Sequence, residues 1–508
     1  SNAPDLIFSY KYDSRNRMTE RKIPGAGVVY MVYDPLDRIV LVQSENMRTP
    51  KKWFYLKYDS RNKTVTEGIY THGSALNQSQ MQSHVDGQAC YGISSTTYYE
   101  ERTTGTASGY TNNCFPASGT EERLYYYYDD YDFDNNGTAD YSYAAQSLPN
   151  ELPATDKTLG MATGIKKKIP GTSNWLVSAF FYDKYYHPIQ TVSNNQLNIS
   201  TTSDRKTNVF DLGGRLLESK TYKATTTGSG TTITVRNSMD YDKMDKVKEI
   251  RQSNDGGSQV IVGRYEYNAI GQAVDKKLHS INSGTSFLQS VDLRYDIRGH
   301  LTSINNSTLT NDAGVTNDDP NDVFGMELLF EKTDPGISNT ANYTGNLSAV
   351  KWKAVLPAKT DQRAYVFAYD KLSRLTTATY KAWSGSAWTK DVNGFNESMT
   401  YDQNGNILTM QRNAVITPGS VTAIDNLTYS YSAGNDNNQL LDVTESGSNS
   451  YGFQNYTSSL SSYTYDGNGN LTADAKKGIT IEYNEQNKVT KIIQTSTGKW
   501  MEYRYDAS

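Results

Sequence analysis

The sequence predicts an all-β protein made of repeated antiparallel hairpins that form a curling, spiral ribbon. Three observations support this prediction. A short motif, Tyr-Asp-x-x-Gly-x-apolar, returns from one end of the chain to the other. Tyrosine, which favours strands, occurs 40 times, against 13 Phe and 6 Trp. Windows of about a dozen residues that combine helix caps with apolar residues at i, i+3, i+4 and i+7 are missing from the sequence.

The copy of the motif at 401–407, Tyr-Asp-Gln-Asn-Gly-Asn-Ile, illustrates why it specifies a hairpin. Tyr401 closes one strand, and Asp402 is able to accept hydrogen bonds from the backbone amides just ahead of it. Gly405 supplies the positive φ of a type I turn followed by a bulge. We therefore assign each single copy to turn structure rather than to a chemical site.

Residues 1–67 contain three copies of the motif, which begin at Tyr12, Tyr33 and Tyr58. In each copy Asn or Asp stands where the motif has Gly, and these are among the non-glycine residues that best tolerate positive φ. The copies are roughly 20 to 25 residues apart, which suffices for two strands of about 6 to 8 residues and two turns. We predict N-terminal hairpins over 1–67.

Residues 68–170 lose this rhythm and are rich in Ser, Thr, Gly, Gln and Asn. Within them, 125–131 still has the composition of a strand, whereas 147–153 predicts a connecting loop. Both cysteines and an Asp-rich loop also lie in this part of the chain. We predict a divergent or inserted β-rich region.

Residues 171–508 return to the repeat, and we predict a regular series of hairpins there. The turn residues assigned to the clearest copies are Tyr295, Asp296, Gly299, Tyr369, Asp370, Tyr401, Asp402, Gly405, Tyr465, Asp466 and Gly469. Two copies depart from the pattern. Tyr186 replaces the glycine in the copy at Tyr182, and a longer, Asn-rich turn follows Tyr431. We expect irregular hairpins at both places.

A second break lies between Leu301 and Tyr369, where a polar loop at 311–322 precedes an apolar stretch at 323–330. We expect that stretch to form a strand packed across the others. With roughly 12 residues per strand and turn, the chain would contain about 40 strands and form a ribbon about 190 Å long. Open twisted sheets of that size curl, so the ribbon is expected to become a wall around a space.

These residues resemble the RHS, or YD-repeat, proteins, whose consensus is Tyr-Asp-x-x-Gly-Arg-Leu. The segments 210–216, 295–301 and 369–375 match it closely, and 175–183 and 324–330 are similar to the RHS proteins of Bacteroidetes. The resemblance covers most of the chain outside about 68–170. One copy of the motif alone would be weak evidence for the family, but a dozen copies at hairpin spacing make the resemblance specific.

The resemblance implies a non-enzymatic, spiralling β-shell that encloses or presents a C-terminal toxin or effector, as in Tc toxin and RHS toxin systems. In that family the shell is followed by a core segment with an aspartyl self-cleavage site, which these 508 residues lack. Tyr505-Asp506 begins a hairpin without a return strand. We therefore expect a fragment with an exposed β-edge, whose partner is its own C-terminal core and effector.

Two other function classes stay open. The first is a cell-surface adhesion module that binds glycans or proteins through exposed Tyr and Trp, and the second is a glycan-active enzyme. A shell should carry polar residues and Tyr hydroxyls over a broad inner surface. An adhesion module should instead have one localised aromatic cluster with convergent polar groups.

Composition and charge exclude several other classes. With Gly counted in place of Tyr, about 36% of the residues are apolar, below the usual 45–50%, so a thick aliphatic core is not expected. A net charge of −5 without a basic block disfavours nucleic-acid binding. No run of 18 apolar residues predicts a membrane-spanning segment. We expect a secreted or cell-surface protein, although Ser1-Asn2-Ala3 has the sequence of a cloning remnant and says nothing about a signal peptide.

The loop at 132–140 has the residue order of a short calcium loop. Oxygen ligands are available at its positions 1, 3, 5, 7 and 9, with Gly137 at position 6. The candidate ligands are Asp132, Asp134, Asn136, the Thr138 carbonyl and Asp140. Position 12 is Tyr143 rather than Glu, so the bidentate ligand of an EF-hand is missing. The alternatives are a structural calcium ion and a solvated acidic turn, and no other cofactor is expected.

Cys90 and Cys114 are the only cysteines. An even count in an exported chain allows a disulfide, and two free thiols remain the alternative.

We expect no catalytic residues, because the five histidines are scattered and the sequence has neither Gly-x-Ser-x-Gly nor a phosphate-binding Gly-rich loop. His300 follows a turn glycine where the family often has Arg, and we assign it a structural role.

Overall fold

A computed structural model describes residues 6–506, apart from 93–94, 96, 198, 200–203, 225–231, 319–321, 356–359, 432–436, 448–449 and 455–461. The described residues contain 32 β-strands and one α-helix, α1 (Gln78–Asp86). Each strand in a sheet pairs antiparallel with the strand that follows it in sequence. The predicted all-β class and the series of consecutive hairpins are therefore confirmed.

The first sheet has seventeen strands. They are β1 (Ser9–Tyr12), β2 (Met18–Lys22), β3 (Val29–Tyr33), β4 (Ile39–Gln43), β5 (Lys52–Tyr58), β6 (Thr64–Thr71), β7 (Thr120–Tyr128), β8 (Ala162–Lys168), β9 (Trp175–Tyr182), β10 (Pro188–Ser193), β11 (Asp204–Phe210), β12 (Leu216–Ala224), β13 (Thr232–Tyr241), β14 (Val247–Asn254), β15 (Val260–Tyr267), β16 (Ala273–Ser280) and β17 (Phe287–Gln289).

The second sheet has ten strands and the third has five. The second comprises β18 (Leu293–Tyr295), β19 (Leu301–Ile304), β20 (Phe324–Leu329), β21 (Ala349–Ala354), β22 (Arg363–Tyr369), β23 (Leu375–Ala382), β24 (Glu397–Tyr401), β25 (Ile407–Thr417), β26 (Ser420–Tyr431) and β27 (Leu440–Glu445). The third comprises β28 (Thr464–Tyr465), β29 (Leu471–Asp474), β30 (Ile479–Tyr483), β31 (Val489–Gln494) and β32 (Trp500–Glu502).

The three sheets form one continuous ribbon. Lys276 and Val291 exchange two backbone hydrogen bonds of 3.0 Å between β16 and the residues before β18. The Tyr463 amide donates to the Leu441 carbonyl at 3.0 Å, which joins β28 to β27. Because hydrogen bonding continues across both breaks, the hairpins form one unbroken sheet-like band.

The motif turns have one geometry throughout the described chain. At Asp370, the backbone amide donates to the Arg374 carbonyl at 2.9 Å, and the Ser373 amide donates back to the Asp370 carbonyl at 3.0 Å. One carboxylate oxygen of Asp370 accepts from the amides of Leu372 and Arg374, both at 2.9 Å. The other oxygen accepts from the Arg374 Nε at 2.6 Å. The aspartate thus stabilises the turn through hydrogen bonds to the backbone amides and the arginine of that same turn.

Positive φ occurs at the fifth motif position, as the sequence predicts. Gly214, Gly299, Gly405 and Gly469 have φ of 83°, 86°, 91° and 85°, so that prediction is confirmed. Tyr186 adopts φ 66° in a turn with the usual backbone bonds between Asp183 and His187. The expectation of an irregular hairpin at Tyr182 is therefore wrong, because the Asp183 hydrogen bonds compensate for the strain. The Asn-rich turn after Tyr431 lies outside the described residues.

The motif tyrosine connects each hairpin to the hairpin before it. The Tyr401 hydroxyl donates to the Leu375 carbonyl at 2.7 Å, at the start of the preceding return strand. The Arg374 guanidinium lies 4.7 Å from the centroid of the Tyr401 ring and donates to the Asp402 carbonyl at 2.6 Å. The same hydroxyl bond joins Tyr33 to Met18, Tyr58 to Ile39, Tyr241 to Leu216, Tyr267 to Val247, Tyr431 to Ile407 and Tyr483 to Leu471.

The divergent region consists largely of insertions into the repeat. Tyr128 closes β7 and donates to the Thr64 carbonyl at 3.0 Å, as a motif tyrosine does. The hairpin between β7 and β8 is therefore a motif copy whose turn has grown to residues 129–161. A second insertion, 72–119, joins β6 to β7 and contains α1. Both connect strands of the ribbon, and β6 (Thr64–Thr71) continues across the predicted boundary at 67/68 without a break.

Helix α1 was not expected from the sequence. Asn77 and Gln80 form a capping box at its start, but the helix has only nine residues, too few for sustained periodicity. Met81 and Val85 are fully buried against strand residues such as Trp53 and Tyr55. Tertiary packing therefore stabilises a helix whose own sequence is mostly polar.

Two further expectations are corrected. The described residues contain 32 strands, whereas the sequence predicts about 40 for the whole chain, because connections such as 129–161 and 330–348 are long. β20 (Phe324–Leu329) pairs with β19 and β21 inside the ladder instead of crossing the other strands.

The ribbon returns to its own beginning. The Gly27 amide donates to the Gly467 carbonyl at 2.8 Å. The Asn46 side chain donates to Asp466 at 2.7 Å, across 420 residues of sequence. We call this contact region the seam; in it, 25–52 and 121–123 lie against Gln439, 466–468 and Glu485. It uses turns and side chains rather than a strand ladder, so the described ribbon coils past itself and its sheet is not closed.

Glu485 lies at the centre of the charged part of the seam. Its carboxylate is 2.6 Å from the Lys52 Nζ and 3.6 Å from the Arg123 guanidinium. Burial raises the pKa of Glu485, but its hydrogen bond to Lys52 and the charges of Lys52 and Arg123 outweigh burial and leave the pKa below the usual 4.5. The ion pairs therefore stabilise the seam above about pH 4.5 and lose that contribution as the pH falls through the lower, folded-state pKa.

We predict that Tyr267→Phe weakens its hairpin by about 1 kcal/mol, because the Val247 carbonyl loses its hydrogen-bond donor. The ring itself is tolerated, since Phe210 occupies the same motif position. Hydrogen exchange of the amides in β15 and β16 measures the effect. Tyr343→Phe, at a side chain that is 73% exposed, is the matched control. Equal exchange in the two variants would show that the hydroxyl bond does not couple hairpins.

We also predict that Glu485→Gln loosens the seam at neutral pH by roughly 1 kcal/mol, and that wild-type protein loosens in the same way as the pH falls through the lowered pKa of Glu485. Exchange of the Gly27 amide, which crosses the seam, reports the change. Glu502→Gln is the control, because Glu502 pairs only with the neighbouring, exposed Arg504 among the described residues. Protection of Gly27 that stays constant in Glu485→Gln contradicts the prediction.

Candidate functional site

The predicted calcium loop lies at the start of the long connection between β7 and β8. Phe133, in the middle of its acidic residues, is fully buried and stacks on Tyr127 at 4.1 Å between ring centroids. Gly164 on β8 makes room for this ring, since a Cβ there would lie 2.0 Å from the Phe133 Cζ. The loop is therefore anchored to the core on one side, while its polar residues face outward.

Three of the predicted ligands come together. Carboxylate oxygens of Asp132, Asp134 and Asp140 all lie within 4.8 Å of one another. None of the three forms an ion pair with a described residue. Two half-buried cations lie nearby: the Arg102 guanidinium donates to the Asp132 carbonyl, and the Lys166 ammonium lies 5.9 Å from the centroid of the Phe133 ring. Burial lowers the pKa of Lys166 below its usual value, and the charges of Asp140 and Asp134 offset only part of that shift.

The side-chain oxygen of Asn136, another predicted ligand, is not directed at this cluster. The Asn136 amide nitrogen donates to Asp134 at 3.0 Å, and its oxygen accepts from the Thr138 amide at 2.9 Å. The side-chain oxygen of Asn136 would reach an ion in the cluster only after the side-chain amide rotates. Tyr143, at position 12, donates its hydroxyl to Glu151 at 2.7 Å. Three carboxylates fit a hard divalent cation such as calcium, and would supply only part of its shell.

Backbone amides already satisfy part of the acidic loop. The amides of Asn136 and Gly137 donate to Asp132 at 3.0 and 2.7 Å, and the Phe133 amide donates to Asp140 at 2.6 Å. Burial raises the pKa of Asp132, but these amides outweigh burial and lower it. The same geometry therefore suits both the ion and the solvated turn, and calcium remains a prediction.

Cys90 and Cys114 are joined by a disulfide, with their Cα atoms 5.2 Å apart. Beside it lies a fully buried ion pair that the sequence gives no reason to expect. The Glu100 carboxylate is 3.1 Å from the Lys57 Nζ and accepts from the Cys114 amide at 2.9 Å. Lys57 also donates to the Cys114 carbonyl at 2.8 Å. The pair fixes the inserted segment to β5, so we assign it a structural role.

His187 and His300 occupy the sixth motif position, where other copies have Arg. Their Nδ1 atoms lie 3.1 and 3.0 Å from Asp183 and Asp296, so both rings replace the arginine contact of the turn. His72 and His84 are neighbours, with ring centroids 5.0 Å apart, and His84 packs on Phe115. This geometry agrees with the structural role expected for His300.

Sequence reasoning missed an aromatic cleft on one face of β21, β22 and β23. Trp352, Arg363 and Ala382 stand opposite one another across the three strands, so their side chains share a face. Tyr365 and Tyr380 form the next row. The only signal in the sequence is the alternation of polar and aromatic residues within each strand. Register brings the rows together, and a single sequence does not give register.

The cleft has a volume of about 640 Å³. Trp352 stacks on Tyr365 at 5.6 Å between ring centroids, and Tyr380 meets the edge of Phe395 at 4.9 Å. One wall is the tip of the β25–β26 hairpin at 415–418, and the rim carries Asp361, Lys390 and Asp391. We call this site the aromatic cleft.

The helix in the described part of the chain is too short and too polar to cross a membrane. No protein-family model matches the sequence, and no curated protein is similar to it at a significant level.

The fold is similar to that of Tc toxin components. A crystal structure of TcdB2-TccC3-Cdc42 matches with a TM-score of 0.56 and 11% identity over 98% of this chain and 20% of that chain. A mutant Tc holotoxin pore of Photorhabdus luminescens matches with a TM-score of 0.56 and 11% identity over 98% and 19%. TcdB2-TccC3 without its hypervariable C-terminal region gives 0.55 and 12% over 98% and 20%.

At this level of identity the likeness concerns the fold alone. The chain spans about a fifth of the length of each of these structures. Within that span it has the spiral, hairpin-repeat shell fold that the RHS resemblance implies.

We predict that the metal-free protein binds calcium at 132–140 with a Kd of about 10⁻⁴ to 10⁻³ M, the range of extracellular modules. Asp134→Ala should abolish the heat of binding in isothermal titration calorimetry, because it removes one of the three convergent carboxylates. Asp156→Ala, at an exposed acidic residue outside the loop, should leave it unchanged. The solvated-turn alternative is correct if millimolar calcium produces no heat with wild-type protein.

Proposed function

We propose that this chain is a segment of a non-enzymatic shell from an RHS-repeat protein, which encloses or presents a C-terminal toxin or effector. The observation that supports the proposal most directly is the seam. A ribbon of consecutive hairpins that meets its own beginning after about 420 residues has the topology of a wall around a space.

The wall has properties that suit a container. In the described residues, successive hairpins are hydrogen-bonded to one another, which would make the ladder a continuous barrier to a polypeptide. The tyrosine and arginine contacts also couple successive turns, as between Arg374 and Asp402. A chain built in this way gains stability from many small, similar interfaces, as repeat proteins do. This rigidity would let the shell hold cargo without chemistry of its own.

The solved structures support the proposed partner by analogy. One of them is described as lacking a hypervariable C-terminal region, which is what a shell with exchangeable cargo would carry. By this analogy, the partner of residues 1–508 is a core and effector region of the same protein. We further propose secretion or cell-surface display, in competition between bacteria or in contact with a host.

The adhesion alternative keeps one specific observation in its favour. The aromatic cleft is a localised cluster of rings with convergent charged groups, which is the feature expected of a binding module. A shell and a binding site on its surface are compatible, so the cleft does not decide between the two functions.

The shell proposal is tested with the native gene. We expect the coding sequence after Ser508 to contain further repeats, a core segment and a short variable domain. The variable domain expressed alone should inhibit growth of a bacterial host, and residues 1–508 alone should not. In the whole protein the variable domain should resist a protease that digests it when it is expressed by itself.

Residues 1–508 should also lack turnover on glycan, peptide and ester substrates. Turnover that a point mutation removes would contradict the non-enzymatic proposal. A native stop codon directly after Ser508, together with a compact particle that has no interior space, would overturn the cargo function.

A further inference from the structure

The aromatic cleft is built on a sheet face that the loops of the second sheet leave open. The opposite face of β21 and β22 is covered, because Ile337 from the 330–348 loop is fully buried against Ala349 and Ala364. On the cleft side, Trp352 and Tyr365 are only half-buried. One face of the same three strands is therefore core, and the other presents aromatic rings to an open cavity.

The charged groups at the cleft are balanced. Arg363 and Lys390 supply two positive charges, and Asp361 and Asp391 supply two negative charges. Lys390 and Asp361 form an ion pair. Among the residues that the structure describes, the Arg363 guanidinium and the Asp391 carboxylate form neither an ion pair nor a side-chain hydrogen bond. The cleft thus offers one donor group and one acceptor group beside its rings.

Arg363, Asp361 and Asp391 line the same cleft as Tyr380. Burial raises the pKa of Tyr380 above its usual value, and the charge of Arg363 partly offsets that shift. The Arg363 guanidinium and the Asp391 carboxylate share the cleft with the rings of Tyr365, Tyr380 and Phe395.

We propose that the aromatic cleft binds a neutral saccharide, whose C–H face packs on the aromatic rings while its hydroxyl groups hydrogen-bond to Arg363 and Asp391. A sugar ring has both an apolar face and a ring of hydroxyls, and it matches a site with aromatic surfaces and polar groups of both signs. The volume of about 640 Å³ lies within the usual range for small-ligand sites.

Other ligand classes fit less well. An anionic ligand would meet the carboxylates of Asp361 and Asp391. A peptide that adds a strand needs an unpaired edge, but β21, β22 and β23 are each paired on both sides. A nucleic acid needs several uncompensated cations, and the cleft has no net positive charge. The neutral saccharide is the class that uses both the aromatic rings and the polar groups of the cleft.

The test is isothermal titration calorimetry with four neutral hexasaccharides: cellohexaose, maltohexaose, mannohexaose and laminarihexaose. We expect at least one to bind with a Kd of about 10⁻⁵ to 10⁻³ M. Hexagalacturonate, the anionic arm, should bind at least about tenfold more weakly than the best neutral probe, which corresponds to about 1.4 kcal/mol.

Three variants localise the binding. Trp352→Ala and Arg363→Ala should each raise the Kd at least about tenfold. Thr417→Trp should do so by filling the mouth from an exposed hairpin tip, and it keeps the test valid if the Trp352 variant fails to fold. Trp500→Ala and Arg21→Ala, at exposed residues of β32 and β2, are the matched controls and should leave the Kd unchanged.

Three results would overturn the proposal. The first is the absence of heat with all four neutral probes at 10 mM, a concentration well above the expected Kd. The second is binding that folded Thr417→Trp protein retains at wild-type strength. The third is tighter binding of hexagalacturonate, or of an unrelated peptide control, than of every neutral probe.

Discussion

The hydrogen bond from a motif tyrosine to a backbone carbonyl of the preceding hairpin is the contact on which the ribbon depends. An isolated two-stranded hairpin is marginally stable in water, so each unit needs its neighbours. The hydroxyl of Tyr401 reaches the Leu375 carbonyl at 2.7 Å, beyond the last ladder bond of its own hairpin. Since a phenylalanine ring packs equally well but donates nothing, this contact gives a reason for the abundance of Tyr over Phe.

The aspartate and the arginine complete that connection. Asp370 satisfies two turn amides and orients Arg374, which in turn contacts the next hairpin through the Tyr401 ring and the Asp402 carbonyl. Copies of the motif with another residue at the Arg position keep the contact with the aspartate: His300 lies against Asp296, and Asn470 donates to Asp466. The motif is therefore a device for joining turns as well as for making them.

Contacts between segments that lie far apart in the sequence decide the shape of the ribbon. The seam brings Lys52 and Glu485 to 2.6 Å, and two insertions form aromatic and aliphatic cores on a ribbon that otherwise buries little. Trp53, Tyr55, Met81 and Val85 belong to one of these cores. Thick packing occurs where the insertions cover the sheet, which reconciles a low apolar content with fully buried large side chains.

Sequence alone determined the fold class, the hairpin repeat and the positive φ at Gly214, Gly299, Gly405 and Gly469, because each depends on residues within one turn. It also located the acidic residues of the 132–140 loop, although not the direction of the Asn136 amide. Such local features are predictable from the sequence because Asp, Asn and Gly determine the backbone conformation and hydrogen bonds within a few residues.

Tertiary structure alone decided what depends on distant residues. It placed helix α1 on a core that its polar sequence does not predict, and it identified 129–161 as an expanded turn. Strand register brought Trp352, Arg363 and Tyr380 into one cleft, and the curvature of the whole ribbon brought Asn46 to Asp466. Pairing across hundreds of residues is set by the summed twist of many strands, and no single segment of the sequence encodes that sum.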